Sequence, residues 1–213
     1  MKKIALFSGL ATALLFGALL ARTCAAQPAW QPPPPPPFDP AKTSVALLGD
    51  SITQGGLWAQ YFPAHNVFNQ GVSGDVTEGM LTRLGPVLAA RPQRILLLAG
   101  INDILRGRDP HDVFTTYRQL VNGLAGGGRK LYVESTLFVT APLPLAVNDK
   151  VNTLNGLLQK LCDDSRHCTY VDLNGTLAPA GQLRADFTAD GLHLNQAGYE
   201  AWFALLKTRK VLD

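Results

Sequence analysis

Charged residues are scarce in this chain, and they form no basic run. Lysine and arginine number 19 and aspartate and glutamate 16 among 213 residues, so the net charge is only +3. A surface that binds nucleic acid needs clustered positive charge to neutralise phosphates. We therefore expect no nucleic-acid partner. The hydrophobic fraction of 46% is typical of a globular protein with one sizeable core.

Cysteine is scarce as well, with 3 residues in the chain. Cys24 lies in the amino-terminal segment, which leaves Cys162 and Cys168 as an even pair. In an oxidising compartment such a pair favours a disulfide, and we predict a bond between them. The pair and the neighbouring His167 lack the second pair of ligands that structural zinc sites usually have, so we predict no metal site.

Long apolar runs are confined to the amino terminus. Lys2 and Lys3 precede an apolar run over residues 4–21, and small residues follow up to Ala26. This order is typical of a bacterial secretory signal, so we predict a signal peptide over residues 1–26 and a periplasmic or secreted protein whose mature domain is not stably inserted in the membrane. An uncleaved membrane anchor is the alternative, because the run approaches the length of a membrane span.

Proline is concentrated in one segment. Residues 32–37 are all proline, and such a run forms an extended rod that joins neither a helix nor a sheet. We predict a linker over residues 27–42 and a single folded domain over residues 43–213.

Within that domain, short apolar runs alternate with longer segments of helical period. This alternation predicts an α/β fold with a parallel sheet and helical crossovers. The predicted strands are 45–48, 66–69, 94–99, 130–133 and 170–173. The predicted helices are 56–62, 76–90, 112–124, 147–162 and 196–207.

The first predicted strand ends in Gly49-Asp50-Ser51. An apolar run without alternation is typical of a buried parallel strand, and ligands bind beyond the carboxyl ends of such strands. Gly49 permits a sharp turn, and Asp50 can bond nearby amides, so that Ser51 is presented at the mouth of a helix predicted to start near Gln54. Ser51 is the predicted nucleophile.

Glycine-rich turns follow the second and third strands, at the same predicted edge of the sheet. They contain Gly74 and Asn102. The backbone N–H of Gly74, the side-chain amide of Asn102 and the backbone N–H of Ser51 would supply three donors to a developing oxyanion. Taken singly, each turn also has a purely structural interpretation as a loop or a helix cap.

A fourth motif, Asp190-Gly191-Leu192-His193, follows the fifth strand. Asp190 can bond one imidazole nitrogen of His193 and leave the other free to accept the serine proton. Asp164 and His167 have the same spacing, but His167 precedes the fifth strand and is expected at the opposite edge of the sheet. We interpret His65 and His111 as structural.

In this order the four motifs resemble the SGNH or GDSL hydrolase superfamily. The matching residues are Gly49 to Ser51, Gly71 to Asp75, Gly100 to Asp103 and Asp190 to His193. The resemblance implies a flavodoxin-like three-layer α/β/α sandwich with five parallel strands in the order 2-1-3-4-5. It also implies catalysis by Ser51, His193 and Asp190 without a cofactor, and an oxyanion hole formed by Ser51, Gly74 and Asn102.

The resemblance covers residues 43 to 209. Members of this superfamily include lysophospholipases, thioesterases, acetylesterases and platelet-activating-factor acetylhydrolase-like esterases. The small bacterial thioesterase/lysophospholipase type is most similar, although Ile101 replaces a glycine often found in that type.

The main hypothesis is therefore a serine esterase that acts on acyl esters of lipids or glycans. An O-acyltransferase that uses the same residues is the nearest alternative, and a non-catalytic glycan- or lipid-binding module is the alternative from another class. We predict that apolar side chains after the fourth strand and beside His193 contact the acyl group: Phe138, Val139, Leu143 and Leu192. The oligomeric state is left open.

Overall fold

The computed structural model describes residues 38–212. Five parallel strands form one sheet in the order β2-β1-β3-β4-β5. The strands are β1 (Thr43–Gly49), β2 (His65–Gly71), β3 (Arg94–Leu97), β4 (Lys130–Glu134) and β5 (Thr169–Val171). The predicted fold class and strand order are confirmed.

The helices connect these strands and follow the last of them. They are α1 (Ser51–Gln54), α2 (Trp58–Tyr61), α3 (Thr77–Thr82), α4 (Leu84–Ala89), α5 (Ile101–Leu105), α6 (Pro110–Leu124), α7 (Val147–Ser165), α8 (Asn174–Leu177) and α9 (Gln196–Thr208). A short 3₁₀ helix covers Ala185–Phe187.

The helices form two layers because the strand order reverses at β1. The crossover from β1 to β2 runs one way along the sheet and the later crossovers run the other way, so right-handed connections place their helices on opposite faces. On one face Trp58 of α2 packs against Trp202 of α9, with ring centroids 4.7 Å apart. On the other face α6 packs against α7, α3 and α4. The reversal lies between β1 and β3, which is where open α/β sheets bind ligands.

The centre of the sheet is closed to solvent. Val45 to Leu48 of β1 and Ile95 to Leu97 of β3 are buried, and so are Val113 and Leu120 on the inner face of α6. Helices cover both faces of the sheet, which explains why these strands are apolar at every position. No helix among residues 38–212 is long and apolar enough to span a membrane.

Several element bounds differ from the predictions. The first helix begins at Ser51 itself and not near Gln54, because the Asp50 carboxylate accepts the Ile52 N–H and caps the helix there. The helix predicted over residues 76–90 is interrupted at Arg83. Pro86, in the first turn of α4, has no N–H to donate back to Thr82, and its ring disfavours a continuous helix at that point.

The predicted signal peptide and most of the predicted linker lie outside the described residues. The last part of the linker is described, and it contacts the domain. Asn66 accepts the Asp39 N–H at 2.8 Å and donates to the carbonyls of Asp39 and Lys42 at 2.6 and 3.0 Å. Asp39 and Lys42 of the predicted linker are therefore hydrogen-bonded to β2 of the domain.

The disulfide between Cys162 and Cys168 is present, with Cα atoms 4.9 Å apart. It joins the end of α7 to the residue before β5, at the amino ends of the strands. The predicted pairing and its position are confirmed.

Candidate active site

Ser51 is the first residue of α1 and lies just beyond the carboxyl end of β1. Its Oγ is 2.9 Å from Nε2 of His193, although the two residues are 142 positions apart. The other imidazole nitrogen, Nδ1, lies 2.6 Å from Oδ2 of Asp190. The structure thus brings the three predicted catalytic residues into one hydrogen-bonded array.

The Asp190 loop holds both its carboxylate and the imidazole in place. Oδ1 of Asp190 accepts the backbone N–H of Leu192 at 3.0 Å and that of His193 at 2.8 Å. Partial burial disfavours the charged carboxylate, but the hydrogen bonds from the His193 ring and from these backbone groups outweigh it. They lower the pKa of Asp190 below its ordinary value. Asp190 is therefore ionised at neutral pH.

Gly191 lets this loop approach the segment that follows β4. Its φ of +84° is favourable for glycine, and a Cβ atom there would lie 2.3 Å from the carbonyl oxygen of Thr140. Thr140 in turn donates its N–H to the Gly191 carbonyl at 2.9 Å. The loop that carries His193 is therefore anchored to the connection after β4.

The turn after β2 lies next to the end of β1. Val72 donates its N–H to the carbonyl of Gly49 at 3.0 Å, which brings the turn that contains Gly74 beside the nucleophile strand. Gly74 has a φ of +73°. In the described part of the chain, neither its N–H nor that of Ser51 has a protein acceptor. Both groups are free to bind another oxygen.

Asn102 and Arg106 of the α5 segment contact the same turn. The Asn102 side-chain amide donates one hydrogen bond to the carbonyl of Asp75 at 2.9 Å, and Arg106 donates to that of Gly74 at 2.7 Å. An amide nitrogen carries two hydrogens, so Asn102 keeps one for another acceptor. The predicted residues Ser51, Gly74 and Asn102 thus meet at one edge of the sheet.

Asp50, between the strand and the nucleophile, is completely buried. Desolvation raises its pKa to about 6, although the hydrogen bond from the Ile52 N–H and the nearby His193 favour the charged form. Its role in the structure is to cap α1 and so fix where Ser51 emerges.

The other histidines do not join the array. His167 lies in the exposed turn before β5, at the opposite edge of the sheet, as predicted. His65 Nε2 lies 3.0 Å from the carbonyl oxygen of Leu212, and His111 lies in the first turn of α6.

The structure places two of the four predicted acyl contacts away from the catalytic array. Val139 is completely buried in the core, so its side chain is not available to a ligand. Phe138 points the other way along this extended segment and lines a separate cavity of about 400 Å³ beside β5, whose lining includes Tyr170 and Asn152 but no residue of the catalytic array. Leu192 and Leu143 are half-buried near the site and remain candidates.

Sequence reasoning missed Arg83 and Asp103, which bind the motifs to one another. Arg83 contacts Gly49, Gln70 and Asp75, and Asp103 accepts hydrogen bonds from Thr77 and Arg108. Asp103 had a signal, since it ends the motif Gly100 to Asp103, but no role of its own was predicted for it. Arg83 had none, because an arginine in a predicted surface helix is ordinarily solvated.

A doubly wound sheet with a Ser-His-Asp array beyond its strands is an arrangement that serine hydrolases use. The sequence model of the GDSL-like Lipase/Acylhydrolase family matches residues 47–201 of this chain. The chain belongs to that family, and the predicted superfamily is confirmed.

Similar proteins include an N-acylneuraminate cytidylyltransferase from Streptococcus agalactiae serotype V, which is 28% identical over 155 residues. That match covers 73% of this chain and 36% of the relative, so the chain spans about a third of that protein's length. A solved structure from Streptococcus pneumonia, described as a platelet activating factor, is 25% identical with a TM-score of 0.71 and covers 79% of this chain and 84% of its own. A catalytic mutant of an acetylxylan esterase from Geobacillus stearothermophilus shares the fold, with 16% identity, a TM-score of 0.69 and coverage of 80% and 94%.

Proposed function

We propose that this protein is a serine ester hydrolase that cleaves O-acyl esters through an acyl-enzyme on Ser51. The observation that carries the proposal is the continuous array from Asp190 through His193 to Ser51, with spacings of 2.6 and 2.9 Å. Both lie within hydrogen-bond range, so the serine proton has an acceptor before any substrate binds.

In the acylation step, Ser51 Oγ attacks the ester carbonyl carbon while His193 Nε2 takes the hydroxyl proton. The carbonyl oxygen becomes an oxyanion and accepts hydrogen bonds from the N–H groups of Ser51 and Gly74 and from the Asn102 amide. When the carbon–oxygen bond to the alcohol breaks, His193 returns the proton to the leaving oxygen.

Deacylation uses the same groups with water as the nucleophile. His193 takes a proton from the water as its oxygen attacks the acyl carbon, and the bond to Ser51 Oγ then breaks as the serine regains its proton. Asp190 stays ionised throughout. It holds the imidazole in one tautomer and stabilises its charged form, as the depressed pKa of this carboxyl supports.

The substrate is proposed to be a small acyl ester, with an acylated glycan favoured over a long-chain lipid. The exposure of the site supports this choice, since 45% of the His193 side chain and 54% of that of Asp190 remain accessible to solvent. An open site admits a bulky sugar alcohol but buries little of an acyl chain. The fold shared with an acetylxylan esterase is consistent with this class.

The first experiment compares Ser51→Ala with the wild type on nitrophenyl acetate and on an acetylated oligosaccharide. Loss of the nucleophile should reduce turnover by about three orders of magnitude and leave the folded fraction unchanged. A fluorophosphonate should label Ser51 alone. Retention of more than about a tenth of the activity in Ser51→Ala would contradict the assignment.

The second experiment uses the two histidines that share a spacing motif. His193→Ala should be about as damaging as the loss of Ser51, and His167→Ala is the matched control that should retain activity. Asp190→Asn should cost less than His193→Ala, because the asparagine oxygen can still accept the His193 backbone N–H and the imidazole remains available as the base. Equal losses in the two histidine variants would reject the site.

A third measurement separates hydrolysis from acyl transfer. Products are analysed with and without an added sugar acceptor, since a transferase would pass the acyl group to a hydroxyl in preference to water. Free acid as the main product in both cases supports the hydrolase. A folded protein that binds the ester without turning it over would instead support the binding-module alternative.

A further inference from the structure

Arg83 lies at the break between α3 and α4, and its guanidinium turns inward, with 20% of the side chain exposed. All three of its nitrogens donate hydrogen bonds. Nε donates to Asp75 Oδ2 at 2.7 Å, Nη1 to the Gln70 carbonyl at 2.7 Å and Nη2 to the Gly49 carbonyl at 2.9 Å. The three acceptors belong to three separate segments: the end of β1, the end of β2 and the turn that follows β2.

Two of these contacts are next to groups that the proposed reaction uses. Gly49 precedes the nucleophile Ser51 by two residues, and Asp75 follows the oxyanion donor Gly74 directly. The carbonyl of Asp75 also accepts the Asn102 amide at 2.9 Å. Arg83 therefore connects the strand that carries the nucleophile to the turn that carries the donor Gly74 and contacts the donor Asn102.

Arginine is suited to this task. Its guanidinium is a rigid planar group with five N–H donors in a fixed fork, so three acceptors bound to it are fixed relative to one another. Lysine would place a single nitrogen there and could not hold all three acceptors in the same geometry. The nearby Arg108 does not duplicate these contacts, since it pairs with Asp103 and Glu78.

We infer that Arg83 is a positioning residue that sets the distance between the nucleophile and the oxyanion donors. The inference rests on the proposed esterase function. Arg83 does not touch the reacting atoms but acts through Gly49 and Asp75. Because donors stabilise an oxyanion more strongly than a neutral carbonyl, a displaced donor turn should weaken the transition state more than the bound substrate.

The test is steady-state kinetics of Arg83→Lys and Arg83→Met with a short-chain nitrophenyl ester. Active sites are first counted by fluorophosphonate labelling taken to completion, so that kcat refers to folded enzyme. We expect kcat to fall about tenfold or more in both variants, with KM within about twofold of the wild type. Affinity for a trifluoromethyl ketone analogue, which binds as an oxyanion, should fall by the same factor as kcat/KM.

Arg129→Met is the matched control. Arg129 is another partly buried arginine that donates to a backbone carbonyl, that of Leu124 at 3.1 Å, but it precedes β4 at the opposite edge of the sheet from Ser51. Its loss should lower stability without changing kcat per labelled site or the affinity for the ketone.

Asp75→Asn provides a second route if Arg83→Met does not fold. This variant weakens the ion pair with Arg83 but leaves the backbone contacts of the turn in place, and it should lower kcat in the same way. Where both single variants fold, kcat is also measured for the variant that combines Arg83→Met with Asp75→Asn. Its fold-loss in kcat should be smaller than the product of the two single fold-losses, because both changes remove the same contact.

Unchanged kcat per labelled site, with only the labelled fraction reduced, would overturn the inference and leave Arg83 with a role in folding alone. A rise in KM that matches the fall in kcat/KM would overturn it as well, since that pattern indicates lost substrate binding. Failure of the proposed function itself is distinguishable, because the wild type would then show neither ester turnover nor labelling of Ser51.

Discussion

Thr77 and Asp103 are joined by two hydrogen bonds in a part of the protein that is closed to solvent. The Thr77 N–H donates to Oδ2 of Asp103 at 3.0 Å, and its hydroxyl donates to Oδ1 at 2.8 Å. Both residues are completely buried. Thr77 begins α3, just after the turn with Gly74, and Asp103 lies next to Asn102 in α5. This contact therefore holds together the two segments that carry the proposed oxyanion donors.

Substitutions at Thr77 and Asp103 are expected to lower the stability of the protein by different amounts. Thr77→Val keeps the shape of the side chain and removes one hydrogen bond, so it should lower the free energy of unfolding by about 1–2 kcal/mol. Asp103→Ala leaves the buried Thr77 donors without an acceptor and removes one of the two carboxylates that pair with Arg108, so it should cost about 3–5 kcal/mol. Urea unfolding measures both values.

The control for this pair is Thr115→Val, in which the lost hydroxyl is exposed on α6 and bonds only to the His111 carbonyl. Its stability should stay within about 0.5 kcal/mol of the wild type. If Thr77→Val behaves like Thr115→Val, the contact does not stabilise the protein.

The central strands and the positions of the histidines could be predicted from the sequence. Buried runs such as 45–48 predicted the central strands, because a parallel strand covered on both faces needs apolar side chains throughout. Motif order then placed His193 beside Ser51 and His167 at the other edge. Both predictions depend only on chain direction and on the edge at which parallel strands end, so local packing did not affect them.

The orientation of the side chains that follow β4 could not be predicted in the same way. Side chains alternate along an extended segment, and a run of apolar residues gives no indication of which alternate set faces the core. Leu137 and Val139 turned out to be buried, with Phe138 on the other side. Arg83 was missed for a related reason: two of its three partners are backbone carbonyls, and a sequence contains no signal for a carbonyl that needs a donor.

Glu134, at the end of β4, predicts how stability depends on pH. The residue is almost completely buried, and its Oε1 accepts the indole N–H of Trp202 at 2.8 Å. Desolvation raises its pKa from 4.5 to about 8, and the bond from Trp202 opposes this only in part. The folded state therefore binds this proton more tightly than the unfolded state. The resulting stabilisation is fully present below the unfolded pKa and is lost as the pH rises through the folded pKa.

Glu134→Gln tests this dependence because glutamine still offers Trp202 an acceptor but cannot ionise. Relative to this variant, the wild type should lose stability as the pH is raised from about 5 to about 9. Urea midpoints at several pH values measure the difference. Glu200 is an exposed glutamate on α9, so the urea midpoint of Glu200→Gln should depend on pH as that of the wild type does. Parallel curves for the wild type and Glu134→Gln would contradict the raised pKa.

The disulfide between Cys162 and Cys168 should stabilise the fold without affecting catalysis. It closes a short loop at the amino ends of the strands, so its removal should cost about 2 kcal/mol. Protein purified from an oxidising compartment should contain no free thiol in this pair and should gain two hydrogens in mass on reduction. Ester turnover should survive mild reduction. Rapid inactivation under those conditions would show that this edge of the sheet is coupled to Ser51.

The last prediction concerns the length of the acyl group. The site is open, and the apolar side chains exposed at the same edge are few: Val72 after β2 and Leu145 after β4, with Leu143 and Leu192 half-buried. Each methylene that gains full burial adds about 0.8 kcal/mol. In a series of nitrophenyl esters from acetyl to palmitoyl, kcat/KM should therefore rise only until this short apolar surface is covered.

Leu192→Ala removes part of that surface next to His193, so it should reduce the gain per methylene for short chains. Val139→Ala is the matched control, because its side chain lies wholly in the core. It should cost about 1–3 kcal/mol of stability and leave the chain-length profile unchanged. A continued rise to palmitoyl would reject a shallow groove and favour a lipid substrate. Activity on acetyl esters alone would favour a glycan deacetylase, since an open site with little apolar surface gains nothing from a longer chain.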